Sequence, residues 1–173
     1  VLKYHGSYPK IDSNDHFSGE VDNISGKGAF GNLPAGEAFT APLEDETEGV
    51  AVVDGSVAGV GLLSTPIRLE IRRGKVEKIE GGVEARRLEM LLRGADQGAW
   101  RIAELGIGTN PQARVVGNVL EDEKAMGTAH IALGNNLFIG GKIESKVHLD
   151  AVILNPTVKL DGEAVIENGE LKV

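Results

Sequence analysis

Six side chains scattered along the sequence are of the kinds that hold divalent metal ions: Glu37, Glu104, Glu123, His130, His148 and Asp150. Four carboxylates and two imidazoles suit a pair of zinc-, cobalt- or manganese-class ions sharing a bridging carboxylate and a water. The densest stretch runs from Leu120 to Asp150. It opens on Glu121-Asp122-Glu123, passes Gly127-Thr128-Ala129-His130, turns at Gly140-Gly141 and closes on His148-Leu149-Asp150. Read as a strand, Val147 to Ile153 puts His148 and Asp150 on one face, ~6.6 Å apart at Cα, with Val147, Leu149, Ala151 and Ile153 on the other. Taken alone, that spacing also fits the wet face of an ordinary edge strand, so a metal site requires the distant acids to converge on it. On a continuous helix, Glu123 and His130 would be separated by ~10.5 Å of rise. The backbone between them must bend, and Gly127 is the place for it.

The elements that position these residues follow from periodicity. Residues 1–31 are rich in Gly, Ser, Asp and Asn, without a sustained hydrophobic period, and read as short strands and loops; His5 and His16 within them read as surface residues. Glu37 sits on a short rigid arm between Pro34 and Pro42, with Gly36 allowing a bend just before it. From Gly49 to Gly81 a β meander is expected, with turns at Asp54-Gly55 and Arg73-Gly74. Ala85, Leu88, Leu91 and Leu92 predict a helix that stops at Gly94. Ala99, Ile102 and Ala103 predict a second helix ending near Gly106, with Glu104 in its last turn, opposing the macrodipole and inviting a cation. Gly106-Ile107-Gly108 reads as a tight loop after that helix, and not as a dinucleotide fingerprint, because Pro111 stands where the third glycine belongs. Val158 to Ile166 reads as a closing hairpin turning at Asp161-Gly162.

Composition narrows the function classes. The chain has 173 residues, 41% hydrophobic and 25% charged, enough to bury a core as one metal-binding domain of α+β class, rich in short strands and hairpins with two or three helices. The sequence contains no cysteine, so a metal would be held by oxygen and imidazole, and a reducing cytoplasm is the expected compartment. A net charge of −8 argues against nucleic-acid binding. No apolar run approaches the ~18 residues of a membrane span, and no signal-like segment opens the chain. Val1 is not a start methionine, which fits a fragment or a processed product.

Several blocks in order resemble the aminopeptidase T family of metallopeptidases. They are Gly36-Glu37 with Phe39-Thr40-Ala41-Pro42, Ala103-Glu104-Leu105-Gly106, Leu120-x-Asp122-Glu123, His130-Ile131-Ala132-Leu133-Gly134, Gly140-Gly141 and His148-x-Asp150. The resemblance implies the family's C-terminal metal-binding domain, preceded in longer chains by an α/β domain and paired as a homodimer. It also implies two metal ions held by Glu37, Glu104, Glu123, His130, His148 and Asp150, and a peptide substrate whose N-terminal residue is released by metal-activated water, with Glu104 or Glu123 as the general base. Two features depart from that pattern: His130 follows Glu123 by seven residues instead of five, and Leu137 replaces a tyrosine that would steady the oxyanion, a loss of about 2.7–4 kcal/mol. Two alternatives remain open. One is a mononuclear iron dioxygenase of the dihydroxypyridine type acting on a small molecule through His148, Asp150 and one further ligand. The other is an inactive structural or oligomerisation domain.

Overall fold

The computed structural model describes residues 18–19 and 33–172, so the expectations for His5 and His16 lie outside the described residues. It is an α+β fold dominated by antiparallel strands: β1 Ser18–Gly19, β2 Glu37–Thr40, β3 Gly49–Val53, β4 Ser56–Val57, β5 Gly61–Leu62, β6 Ile67–Arg72, β7 Lys75–Glu80, helix α1 Val83–Gly94, β8 Ile102–Gly108, helix α2 Val119–Asp122, β9 Thr128–Gly134, β10 His148–Leu154, β11 Val158–Leu160, β12 Glu163–Glu167 and β13 Glu170–Leu171. One seven-stranded sheet runs in the order β1-β2-β8-β9-β10-β4-β5; β3-β6-β7 and β11-β12-β13 make two three-stranded sheets.

Alternation places the core. In β6, Ile67, Leu69 and Ile71 are buried while Arg68, Glu70 and Arg72 turn outward. These inward residues join Ala51, Val53 and Val76, the buried face of α1 (Ala85, Leu88 and Leu92), and one side of the large sheet, including Leu133 and Ala151, in a single apolar cluster. Ile131, Leu149 and Ile153 pack against it. One face of the large sheet is thus spent on the core. The other is free for polar work.

Several expected elements are present. Helix α1 has the expected buried positions and ends at Gly94, although Leu91 is exposed. The Arg73-Gly74 turn closes the β6–β7 hairpin with φ of 49° and 70°, and Asp161-Gly162 closes β11–β12 with 50° and 90°, the left-handed pairs that two-residue hairpins require. Asp54-Gly55 differs from expectation: it joins two sheets, because β3 pairs with β6 while β4 pairs with β10 and β5. Asp54 Oδ1 there accepts the Leu154 amide at 2.8 Å.

The larger correction concerns residues 99–108. The second helix is absent: a 3-10 turn at Gly98–Trp100 leads directly into β8, which carries Glu104 and extends through Gly106 to Gly108. β8 pairs with β9, and with β2 over Leu105–Gly108, and six of its seven residues are buried, so the period-2 signal of a half-exposed strand is missing. Glu104 therefore opposes no helix dipole.

Leu88 is fully buried between α1 and the small sheet. Leu88→Ala should lower the unfolding free energy by about 2–5 kcal/mol, measured by urea denaturation, without touching the polar face.

Candidate metal centre

Directly opposed residues of antiparallel strands share a face. Across β8, β9 and β10, Glu104, Ala132 and Asp150 form one row, and Gly106, His130 and Val152 the next. His148 lies opposite Gly134, and Glu37 on β2 lies opposite Gly108. Ala132, Gly106, Gly108 and Gly134 on this face make the space for the acids and imidazoles, with Val152 and Phe39 its larger members. A Cβ at Gly106 would stand 2.0 Å from His130 Nε2, so the imidazole lies directly over that glycine. At Gly108 a Cβ would strike the Ala125 carbonyl at 2.1 Å. These glycines serve close approach within a strand, which is why reading them as a loop was mistaken.

Glu123 reaches the same place from the end of α2. The chain then turns, with Gly127 at φ +84°, and enters β9 toward His130, the bend expected between the two. The acidic run preceding it splits by role. Asp122, fully buried, accepts Ser56 Oγ at 2.5 Å and the Val116 and Gly117 amides, holding the loop before α2. Glu123 turns instead toward the polar face.

All six anticipated residues therefore meet on or beside one face of the sheet. Two groups of three have ligand atoms within 4.8 Å of one another: Glu37, Glu104 and His130, and Glu104, His148 and Asp150. Glu104 belongs to both. Its Oε1 lies 3.3 Å from His130 Nε2 and its Oε2 3.3 Å from His148 Nε2, while Asp150 Oδ1 is 3.4 Å from the same His148 nitrogen. His148 Nδ1 donates to the Asn135 carbonyl at 2.6 Å, which fixes the ring and aims Nε2 at the carboxylates, as in metal-ligating histidines. Glu123 belongs to neither group.

Lys124, which drew no attention in the sequence, is the missing partner. Its side chain is fully buried, and Nζ donates to Glu37 Oε1 at 2.6 Å and to Glu123 Oε1. Beside an acidic run a lysine usually reads as part of a solvated surface; only the buried end of α2 reveals it. Glu37 Oε2, Glu123 Oε2 and His130 Nδ1 are buried without a hydrogen-bond partner, an unsatisfied set that fits a site designed around a further ligand.

Burial and mutual charge set the protonation pattern. Burial pushes Glu123 up to about 8, aided by the Asp150 charge and against the pull of Lys124; burial likewise raises Glu37. In Glu104, burial pushes upward too, but hydrogen bonds from His130 and His148 outweigh it and hold the carboxyl below its usual range. Burial lowers His148, yet Asp150 and Glu104 more than reverse this and raise it to about 10. Burial opposes a proton on Lys124, and Glu123 and Glu37 keep it there.

One further carboxylate aligns the ligand strands. Asp96 Oδ1 accepts the Ala99 amide at 3.0 Å and Ser145 Oγ at 2.8 Å, and Oδ2 accepts the Lys146 amide at 2.7 Å, joining the approaches to β8 and β10.

Comparison with known proteins sorts the alternatives. The model of the family described as NicX, 2,5-dihydroxypyridine 5,6-dioxygenase, matches residues 13–173. A 2,5-dihydroxypyridine 5,6-dioxygenase from Pseudomonas putida KT2440 is 30% identical over 184 residues, 96% of this chain and 49% of that protein. The chain thus spans about half the length of the curated relative it matches. The solved structure of 2,5-dihydroxypyridine dioxygenase from the same organism superposes with a TM-score of 0.73 at 29% identity, covering 80% of this chain and 44% of that one. Wild-type AmpT from Thermus thermophilus superposes at 0.65 and 27% identity, covering 82% and 40%.

These matches overturn the assignment to the aminopeptidase T family, and with it the reading as a peptide-cleaving hydrolase or metalloprotease. The blocks behind that resemblance lie on a fold that the AmpT structure shares at a TM-score of 0.65. Gly106 under His130 and the His-x-Asp strand define a cluster of donor groups without specifying a reaction.

Two outcomes follow from this geometry. Gly106→Ala should displace the His130 ring from Glu104, visible as a changed imidazole shift in NMR spectra, together with weakened metal binding. Glu123 and His148 bind protons more tightly folded than unfolded. The stability they contribute is full below their ordinary values of 4.5 and 6.5 and is lost as pH rises through about 8 and about 10. Chelator-treated protein should therefore melt at lower temperature near pH ~9 than near pH ~6, by calorimetry, and added divalent metal, which replaces the His148 proton, should flatten that fall.

Proposed function

We propose, on the premise that the chain belongs to the 2,5-dihydroxypyridine 5,6-dioxygenase family, that it is the metal-bearing part of an iron-dependent, ring-cleaving dioxygenase of small hydroxylated aromatic substrates. The observation that carries this reading is the convergence of Glu104, His148 and Asp150 within 4.8 Å. One imidazole nitrogen and two carboxylates are a donor set that iron(II) accepts, and three protein ligands leave positions open for substrate and oxygen. Bound there, iron would bring dioxygen and an electron-rich ring together for oxygen insertion.

The chain's own residues do the rest. Asn135 holds His148 with its Nε2 toward Glu104 and Asp150, and His130 holds Glu104 from the opposite side. Glu123, raised by burial to about 8, carries a proton near neutral pH and is the carboxyl suited to exchange it with a bound substrate, a role in which proton transfer contributes typically 10²–10⁴-fold. Phe138 stands edge-on to His148, ring centroids 4.9 Å apart, and is 67% exposed, offering an apolar surface against which a flat ring can pack. Leu137 beside it also suits an apolar ring.

Anaerobic loading of the purified protein with iron(II), followed by elemental analysis and oxygen-uptake measurement with 2,5-dihydroxypyridine, tests the reading. Chelator should abolish uptake, and His148→Ala and Asp150→Asn should each weaken iron binding by about 100-fold or more. Peptide hydrolysis supported by zinc, with no oxygen consumed, would sink it.

A further inference from the structure

Lys124 sits where a second ion would be expected. The residue types alone describe a dinuclear pocket, because the two ligand groups share Glu104 and the Glu37, Glu104 and His130 group is as tightly drawn as the other. Glu37, however, already gives Oε1 to the Lys124 ammonium at 2.6 Å, and Glu123 gives its own Oε1 to the same nitrogen. A dication bound through Glu37 would share that carboxylate with a fixed positive charge in a buried, weakly screened place. Lys124 cannot swing away. Its side chain is fully buried, its amide donates to the Glu121 carbonyl at 3.0 Å, and its carbonyl accepts the Asn110 amide at 2.9 Å.

The charge balance points the same way. Glu37, Glu104, Glu123 and Asp150 carry at most four negative charges, which Lys124 and one divalent ion nearly neutralise. A second divalent ion would overshoot it.

We propose that Lys124 makes this centre take one divalent ion instead of two: its ammonium is a built-in cation at the Glu37–Glu123 end, leaving Glu104, His148 and Asp150 as the seat for metal. This rests on the reading that those three residues hold the ion. It assigns to one lysine the choice between single-ion and paired-ion chemistry on a sheet face whose other ligands would permit both.

Manganese(II) titration of the metal-free protein, with ions per chain counted by elemental analysis and electron paramagnetic resonance of the bound metal, tests the proposal. Wild type should bind one ion with the spectrum of an isolated centre. Lys124→Gln should bind two, with exchange-coupled signals and second-site affinity raised about a hundredfold or more, while Lys124→Arg should stay at one. Lys124→Met, which keeps the buried stem without the charge, should also hold two ions and serves where Lys124→Gln does not fold. Two ions in wild type, or one ion in folded variants lacking the charge, overturns the proposal. The count is independent of turnover: a one-ion wild type that consumes no oxygen defeats the dioxygenase reading, and an oxygen-consuming two-ion wild type defeats this one.

Discussion

Four carboxylates crowded into a buried pocket repel one another, and the pocket persists because positive charge is built in beside them. Lys124 joins Glu37 to Glu123, and the two imidazoles stand between the remaining acids. Removing one partner of such a buried pair typically costs 3–5 kcal/mol, since the stranded charge has nowhere to be solvated. Without metal, protons on the histidines do part of this work, which is why His148 holds its proton so far above the ordinary imidazole value. A cation bound among these groups would displace such protons, making its binding and proton release two sides of one exchange.

The sheet makes such crowding possible by leaving things out. Ala132 separates Glu104 from Asp150 in one row, and Gly106 lies beneath His130 in the next. Larger residues there would push the ligands apart. On the reverse face, Leu133 and Ala151 sit in the apolar cluster with the small sheet and α1, so each strand is pinned by its core side chains while its polar ones converge. Precision at the centre is borrowed from packing behind it.

Much of this was legible in the sequence. Alternation around His148 and Asp150, the α1 period and two of the hairpin turns depend on neighbours in the chain, and local pattern reports them well. Glu104 was recognised as a ligand candidate while its element was misread, because a strand covered on both faces loses the period that distinguishes it from a helix. Lys124 escaped notice for a different reason. Its importance comes from Glu37, far away in sequence, and no local pattern carries that information. The family assignment failed because a set of metal-ligating residue types on a shared fold constrains the ion more strongly than the reaction.

The Asp96 clasp carries a consequence for how this fold can vary. It ties the lead-ins to β8 and β10 at one point, a few residues ahead of Glu104 and His148. A single-residue insertion or deletion between clasp and ligand would rotate Glu104 or His148 to the apolar side of its strand, because side chains alternate with a period of two. Length changes in related chains should therefore gather in the loop between Asn136 and Glu144 or around the β11–β13 hairpins, and the two short lead-ins should keep a constant residue count even as their composition drifts.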